Sequence, residues 1–213
     1  MNVRKRDAGV SEVISFVMIL SMLIIAFSLW ALYAVPAGGE QMEEIHTVSI
    51  QMQFAEFKSG VENVWIANST GVMRESVFRL GPDAADSGME ILSFPLTRAA
   101  WTLSVATNTS IVATTKGDTT YYYYPEVTYR GANAYTDDVF LRYHGGNNTV
   151  TAFGPAGNLL YRLPGSDQFR VVVKEGTKSE VSGNGRAVIE YRLVDVIAGE
   201  KNVYYCVFEM GVR

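Results

Sequence analysis

The sequence predicts an α+β protein: an N-terminal hydrophobic helix plus an amphipathic helix, then an antiparallel β-sandwich-like head domain. Three patterns predict this class. Residues Val13 to Val35 carry no charge. Apolar residues then recur at intervals of three and four, as on one face of a helix. Beyond that helix, short runs rich in Val, Ile, Tyr, Phe and Thr alternate with turn residues, which is typical of antiparallel strands.

Composition excludes several classes of protein. The chain has 213 residues and a formal net charge of −4, and its Lys and Arg residues beyond the N-terminus are scattered. We therefore expect no nucleic-acid partner. Cys206 is the only cysteine, which excludes an intrachain disulfide and hence a small disulfide-stapled fold. The residues after the apolar run are numerous enough for one domain with a core of its own.

The apolar run is long enough to cross a bilayer. As a helix, Val13 to Val35 would span roughly 34 Å. A cleaved secretory signal has a shorter apolar region of about 7–15 residues, although the small residues at 35–37 leave such a cleavage open. Arg4, Lys5 and Arg6 precede the run, and no comparable basic cluster follows it. This asymmetry predicts a single-pass protein with a cytoplasmic N-terminus and an extracellular C-terminal domain.

The stretch "RKRDAGVSEVI", residues 4–14, resembles the class III signal peptide of archaeal type IV pilin-like proteins. That family has a short basic leader, a small residue before the cut, and then an uninterrupted apolar helix. The resemblance implies that a prepilin peptidase cleaves between Gly9 and Val10 and leaves the apolar helix on the mature chain. The predicted parts are a leader (1–9), a transmembrane or assembly helix (10–35), a hinge and amphipathic stalk helix (36–66), and an extracellular β-rich domain (67–213).

Glu12 is an acid at the edge of the apolar run. After the implied cleavage it would be the third residue, close to the new α-amino group of Val10. In bacterial type IV pilins an acid near the mature N-terminus pairs with a neighbouring subunit's amine, and such a pair is strong in low dielectric. The bacterial acid comes two residues later, so the partner here stays open. The alternative is a carboxylate that reaches to the membrane surface without a partner.

The stretch "AVPAGGE", residues 34–40, predicts a break or hinge, because proline removes a helix donor and glycines loosen the backbone. A second helix is predicted over residues 40–65. We expect its apolar stripe to dock on the following domain. The stripe consists of Ile50, Phe54, Phe57, Val61 and Val64.

Three acids and a histidine lie at the start of that predicted second helix. Glu40, Glu43 and Glu44 would lie in its first turns, where the helix dipole favours negative charge. His46 has no neighbouring ligand pattern of metal-binding spacing. We expect it to be exposed to solvent at the polar start of the helix.

Eleven runs from about residue 70 onwards predict strands separated by turns. The last two are the longest and most apolar, so we expect them to be central and joined by a turn around Gly199. In "YYYY", Tyr121 to Tyr124, alternate rings should face the core and the surface, and Pro125 should end or edge that strand. The predicted strands are 72–80, 89–94, 101–106, 109–115, 119–129, 138–143, 149–153, 158–163, 168–174, 186–196 and 202–212.

Few residues suggest chemistry. Asn68, Asn108 and Asn147 begin N-glycosylation triplets in predicted loops. No nucleophile elbow, zinc-protease motif or phosphate-binding loop occurs, so we expect no catalytic residues, metal, cofactor or small-molecule substrate. The acids at 137–138 are interpreted as solvated turn residues, since their spacing does not match a calcium loop.

These patterns together with the resemblance favour a type IV pilin-like structural subunit, a minor pilin or a pilin-like surface protein. Its expected partners are the membrane, a prepilin peptidase and homologous pilin-like subunits that pack through the apolar helix, in a surface filament. The alternative is a non-polymerising single-span membrane protein whose extracellular β-domain binds an envelope or motor partner.

Overall fold

The computed structural model describes residues 4–67, 70–82, 100–115, 117–165, 171–173, 178–183, 185–194 and 205–212. The chain forms two compact units, Met1–Gln41 and Met42–Arg213. One helix is followed by nine described strands. They are α1 (Arg4–Ile66), β1 (Arg74–Arg79), β2 (Ala100–Thr115), β3 (Asp118–Ala132), β4 (Val139–His144), β5 (Thr149–Phe153), β6 (Leu159–Leu163), β7 (Ser179–Ser182), β8 (Arg186–Val194) and β9 (Tyr205–Val212).

The strands form two antiparallel sheets in the second unit. Six strands pair in the order β6-β5-β4-β3-β2-β7, and three pair in the order β1-β8-β9. Neighbours in sequence pair directly from β2 to β6, so short turns suffice to build most of the larger sheet. One long N-terminal helix followed by antiparallel sheets confirms the predicted α+β class.

The predicted helix break at residues 34–40 is wrong. The backbone is helical throughout Arg4–Ile66, and Pro36 lies inside the helix. A proline removes a single N–H donor and bends a helix without having to end it. Gly38 and Gly39 cost about 1 kcal/mol each relative to alanine. The many hydrogen bonds of a 63-residue helix outweigh these local costs.

The predicted apolar stripe is confirmed as the helical side of the core. Each of its five residues is at most 2% exposed. They pack with the inward faces of both sheets in one contiguous cluster. Burial on this scale is the main stabilising term of the unit. Its largest buried side chains include Trp101, Tyr129, Tyr143, Phe54, Phe57 and Phe78.

The predicted strands differ from the observed ones in their bounds, their number and their place in the sheets. The runs 101–106 and 109–115 form one strand, β2, with an irregularity between Thr109 and Ile111 instead of a turn. β7 was not predicted, and β9 lies at an edge of its sheet while β8 is central. The predicted strand 89–94 and the turn around Gly199 lie outside the described residues, as does most of 168–174.

Pro125 lies inside β3 and so does not end the strand, the first of the two predicted alternatives; it lies where β3 is no longer paired with β4, which agrees with the second, an edge position. The pairing of β3 with β4 stops at the next residue, Glu126 opposite His144. The prolyl carbonyl still accepts a hydrogen bond from Gly145 N at 2.9 Å. Pro125 is therefore tolerated where one partner strand ends, so its missing N–H breaks little of the ladder.

Candidate functional site

The first unit carries a long apolar surface. Every residue from Ser11 to Leu29, hereafter the apolar segment, is exposed. The mean hydropathy of the most apolar 18-residue stretch of the helix is 2.5, and no part of this stretch is buried. By length and composition, α1 contains one stretch able to cross a membrane. Its exposed large side chains include Val13, Ile14, Phe16, Val17, Met18, Ile19, Leu20, Met22, Leu23, Ile24, Ile25 and Phe27.

Two hydroxyl groups of the apolar segment are hydrogen-bonded within the helix. Ser21 Oγ donates to Val17 O and Ser28 Oγ donates to Ile24 O, each at 2.7 Å. A hydroxyl bonded to the preceding turn presents little unmet polarity to its surroundings. The segment is therefore suited to lipid or to a neighbouring helix.

The predicted processing residues lie at the beginning of α1. The helix starts at Arg4, and the side chains of Arg4, Lys5, Arg6 and Val10 lie outside the described part of the chain. Glu12 is exposed on the helix, immediately before the first large apolar side chains. This position is compatible with an assembly contact and with a carboxylate at the membrane surface.

In the second unit, the β3–β4 loop (residues 133–138) binds a buried carboxylate of α1. Glu43 is 1% exposed. Its Oε1 accepts from Ala134 N at 2.6 Å, and its Oε2 accepts from Tyr135 N at 2.9 Å. Oε2 also accepts from Thr136 N at 2.7 Å and Thr136 Oγ1 at 3.0 Å. Three successive backbone N–H groups thus converge on one anion.

The loop is held in this shape by its own side chains. Asn133 Nδ2 donates to Thr136 Oγ1 at 2.8 Å and to Asp137 O at 2.9 Å. Asn133 N donates to Asp138 Oδ1 at 3.2 Å. Asp138 is therefore a loop-closing residue. The described residues contain no group of three or more His, Cys, Asp or Glu side chains able to hold a metal.

His46 is buried, which corrects the prediction that it is exposed. It is 7% exposed, its Nε2 lies 2.9 Å from Tyr129 Oη, and the Trp101 ring is 6.1 Å away. Because α1 does not begin at Glu40, His46 and Glu43 lie in mid-helix on its buried face. Counting back four and then three residues from Ile50 reaches both, a signal that the sequence already contained.

Burial raises the pKa of Tyr129 above its usual value of 10.0. The folded protein then keeps the phenol proton that the unfolded chain releases, so stability falls as the pH rises above about 10. We expect this group to contribute a slope of about 1.4 kcal/mol per pH unit there. Tyr129→Phe should remove that slope in urea denaturation, and exposed Tyr121→Phe should retain it. Equal slopes for both variants would contradict the assignment.

Phe57 joins α1 to both sheets. Its ring makes edge contacts with Phe78 of β1 at 5.7 Å, Tyr143 of β4 at 5.0 Å and Tyr191 of β8 at 5.5 Å. One helical turn later, a Cβ at Gly60 would overlap the hydroxyl of Tyr191, which is 3% exposed. The glycine allows the helix to approach β8 closely.

The glycosylation triplets have different surroundings. Asn108 lies within β2, which corrects its predicted loop position, and its Nδ2 donates to Glu126 Oε2 at 3.1 Å. Asn147 lies in the β4–β5 turn as predicted, with Oδ1 buried and without a hydrogen bond in the described part of the chain. Asn68 lies outside the described residues. The Asn108 amide is therefore engaged in the folded sheet.

The geometry thus separates an exposed apolar segment in the first unit from a helix docked by Glu43, His46 and Phe57 in the second. Comparison with protein-family models, with curated proteins and with solved structures gave no match.

Proposed function

We propose that this chain is a type IV pilin-like structural subunit, inserted in the membrane and then assembled or displayed outside the cell. The observation that carries the proposal is the fully exposed apolar segment, Ser11 to Leu29. Water is a poor solvent for so much contiguous apolar surface. A bilayer or a bundle of similar helices would cover it.

The leader resemblance supports a subunit that uses both environments. A cut after Gly9 on the cytoplasmic side would leave the apolar segment at the mature N-terminus, first in lipid and then among other copies. Pro36 lies within a helix, so α1 runs without a break from the apolar segment to its docked part, and this continuity supports a pilin-like subunit. Small residues would help neighbouring helices to approach; they are Ser15, Ser21, Ala26, Ser28 and Ala31.

The docked half of α1 supports a role in force transmission. In a filament built from packed helices, force on the head reaches the filament core through α1. Glu43 and Phe57 contact both the loop and the sheets of the second unit. A helix held in this way would transmit force to the β-rich domain without dissociating from it.

The mature N-terminus tests the proposal. We expect full-length protein, co-expressed in membranes with a prepilin peptidase, to begin at Val10 by intact mass and N-terminal sequencing. Gly9→Leu should block this processing, because the peptidase requires a small residue before the cut. Ala37→Leu, at the position of the alternative secretory cleavage, is the matched control and should be processed normally.

The other outcomes select the alternatives. A start at Met1 would support a non-polymerising single-span protein whose β-domain binds an envelope or motor partner. A start at Gly38 would indicate an ordinary signal peptide. Electron microscopy of surface material would then test whether protein that begins at Val10 forms filaments.

A further inference from the structure

The outer face of the six-stranded sheet carries a cluster of arginine and phenylalanine side chains. Arg130 on β3 pairs opposite Phe140 on β4, and Phe140 pairs opposite Phe153 on β5. The two phenylalanine rings lie 6.2 Å apart. These side chains alternate with the buried Tyr129 and Leu141, so they point away from the core.

Two guanidinium groups flank one ring in this cluster. The Arg130 Cζ lies 5.2 Å from the Phe140 ring centroid, and the Arg142 Cζ lies 5.6 Å from it. Cation–π contact holds both groups close to the sheet and reduces the rotamer entropy they lose when a ligand binds. The sheet therefore presents two positioned cations on a protein of net negative charge.

The outward ends of both arginines are accessible. Arg142 Nε is buried and lies 3.4 Å from Glu126 Oε1, while the Arg142 side chain is 43% exposed. Its solvent-facing part is therefore the opposite end of the guanidinium. Arg130 is exposed and has no acid within 4 Å among the described residues. An anion could contact both without displacing an existing ion pair of Arg130.

An open groove of about 530 Å³ runs beside these groups. It can accommodate a ligand larger than a simple ion. Asp138 on its wall is exposed and offers a carboxylate to hydroxyl donors. The side chains that line the groove include Arg130, Asp138, Phe140, Arg142, Phe153 and Pro155.

We propose that this groove binds a polysaccharide that contains uronic acids. A sugar carboxylate would be held by the two guanidinium groups, and ring hydroxyls would donate to Asp138. The half-buried rings of Phe140 and Phe153, together with exposed Pro155, would cover the apolar C–H faces of the sugar. Asp138 and Glu126 would repel the closely spaced charges of nucleic acid or polyphosphate. The proposal concerns the head alone and goes beyond the assembly role, with which it can fail or succeed independently.

Titration of full-length protein in detergent micelles tests this site, with trigalacturonate as probe and its methyl ester as the uncharged control. We expect trigalacturonate to bind at low salt, and the ester to bind at least about tenfold more weakly, because it lacks charge-assisted hydrogen bonds. Arg130→Gln should weaken binding about tenfold or more without moving the thermal midpoint. Arg162→Gln, an exposed arginine of β6 outside the groove, should bind normally.

Several results would overturn the proposal. They are equal affinity for the acid and its ester, unchanged affinity in Arg130→Gln, or no binding of trigalacturonate at millimolar concentration. Tighter binding of hexaglutamate than of trigalacturonate, lost in Arg130→Gln, would assign the groove to acidic peptides instead. None of these results depends on whether the protein forms filaments, so the binding proposal and the assembly proposal are tested separately.

Discussion

Replacing Glu43 by alanine is expected to lower the free energy of unfolding of the full-length protein by about 3 kcal/mol. The carboxylate is buried and accepts three backbone N–H bonds and one hydroxyl bond from the β3–β4 loop. Hydrogen bonds to an ionised acceptor are stronger than neutral ones. Water would solvate part of the loop in the variant, because Ala134 is exposed, so the loss stays below the sum of the separate bonds.

Urea denaturation of the protein in micelles, followed by tryptophan fluorescence to which buried Trp101 contributes, measures this loss. Glu44→Ala is the matched control, since its side chain is exposed on the same helix, and it should change stability by less than about 0.5 kcal/mol. Glu43→Gln should fall between the two, because its amide retains one acceptor oxygen and turns donors towards the N–H groups.

Amide hydrogen exchange provides an independent check of the same contact. Protection of the amides of Ala134, Tyr135 and Thr136 should fall in Glu43→Ala more than protection elsewhere in the sheet. If Glu43→Ala and Glu44→Ala were equally stable, the loop would not depend on the carboxylate. The helix would then be held by its apolar stripe and by His46.

The docked stripe was predictable because its chemistry is local. The intervals from Ile50 to Val64 place five apolar residues on one helical face, and all five are buried. Glu43 and His46 fit the same intervals, but Glu43 was assigned to the first turns of a separate helix and His46 to the solvent, because polar side chains are rarely buried without partners. Their partners, the β3–β4 loop and Tyr129, lie more than 80 residues away in sequence. The spacing of residues within one helix cannot show which distant residues will contact it.

The ends of helices and strands were less predictable, because they depend on more than the local propensity of the residues there. Residues 34–40 have poor local helix propensity, yet Pro36 lies within a helix that is long enough to offset the local cost. The triplet at Asn108 suggested a turn, whereas pairing with β3 across most of both strands keeps β2 extended. The contact between Arg130 and Phe140 depends on the register in which β3 and β4 pair, and this register cannot be read from the sequence.

Truncation of Phe57 to alanine should have the largest effect on stability, a loss of about 3–5 kcal/mol. The ring is fully buried and contacts three aromatic rings on the two sheets. Its removal would leave a cavity between α1 and both sheets and would forfeit three edge-to-face contacts. Since whole domains are stable by only about 5–15 kcal/mol, this variant could lose much of its folded population.

Phe57→Leu keeps the test informative if the alanine variant does not fold. It restores most of the buried volume without the aromatic contacts, so we expect a loss of about 1.5 kcal/mol. Met52→Ala, a large side chain truncated on the exposed face of the same helix, is the matched control and should be nearly neutral. The readout is again urea denaturation in micelles. Equal costs for Phe57→Ala and Met52→Ala would mean that the sheets fold without a docked helix, and α1 could then no longer transmit force to the head in the proposed filament.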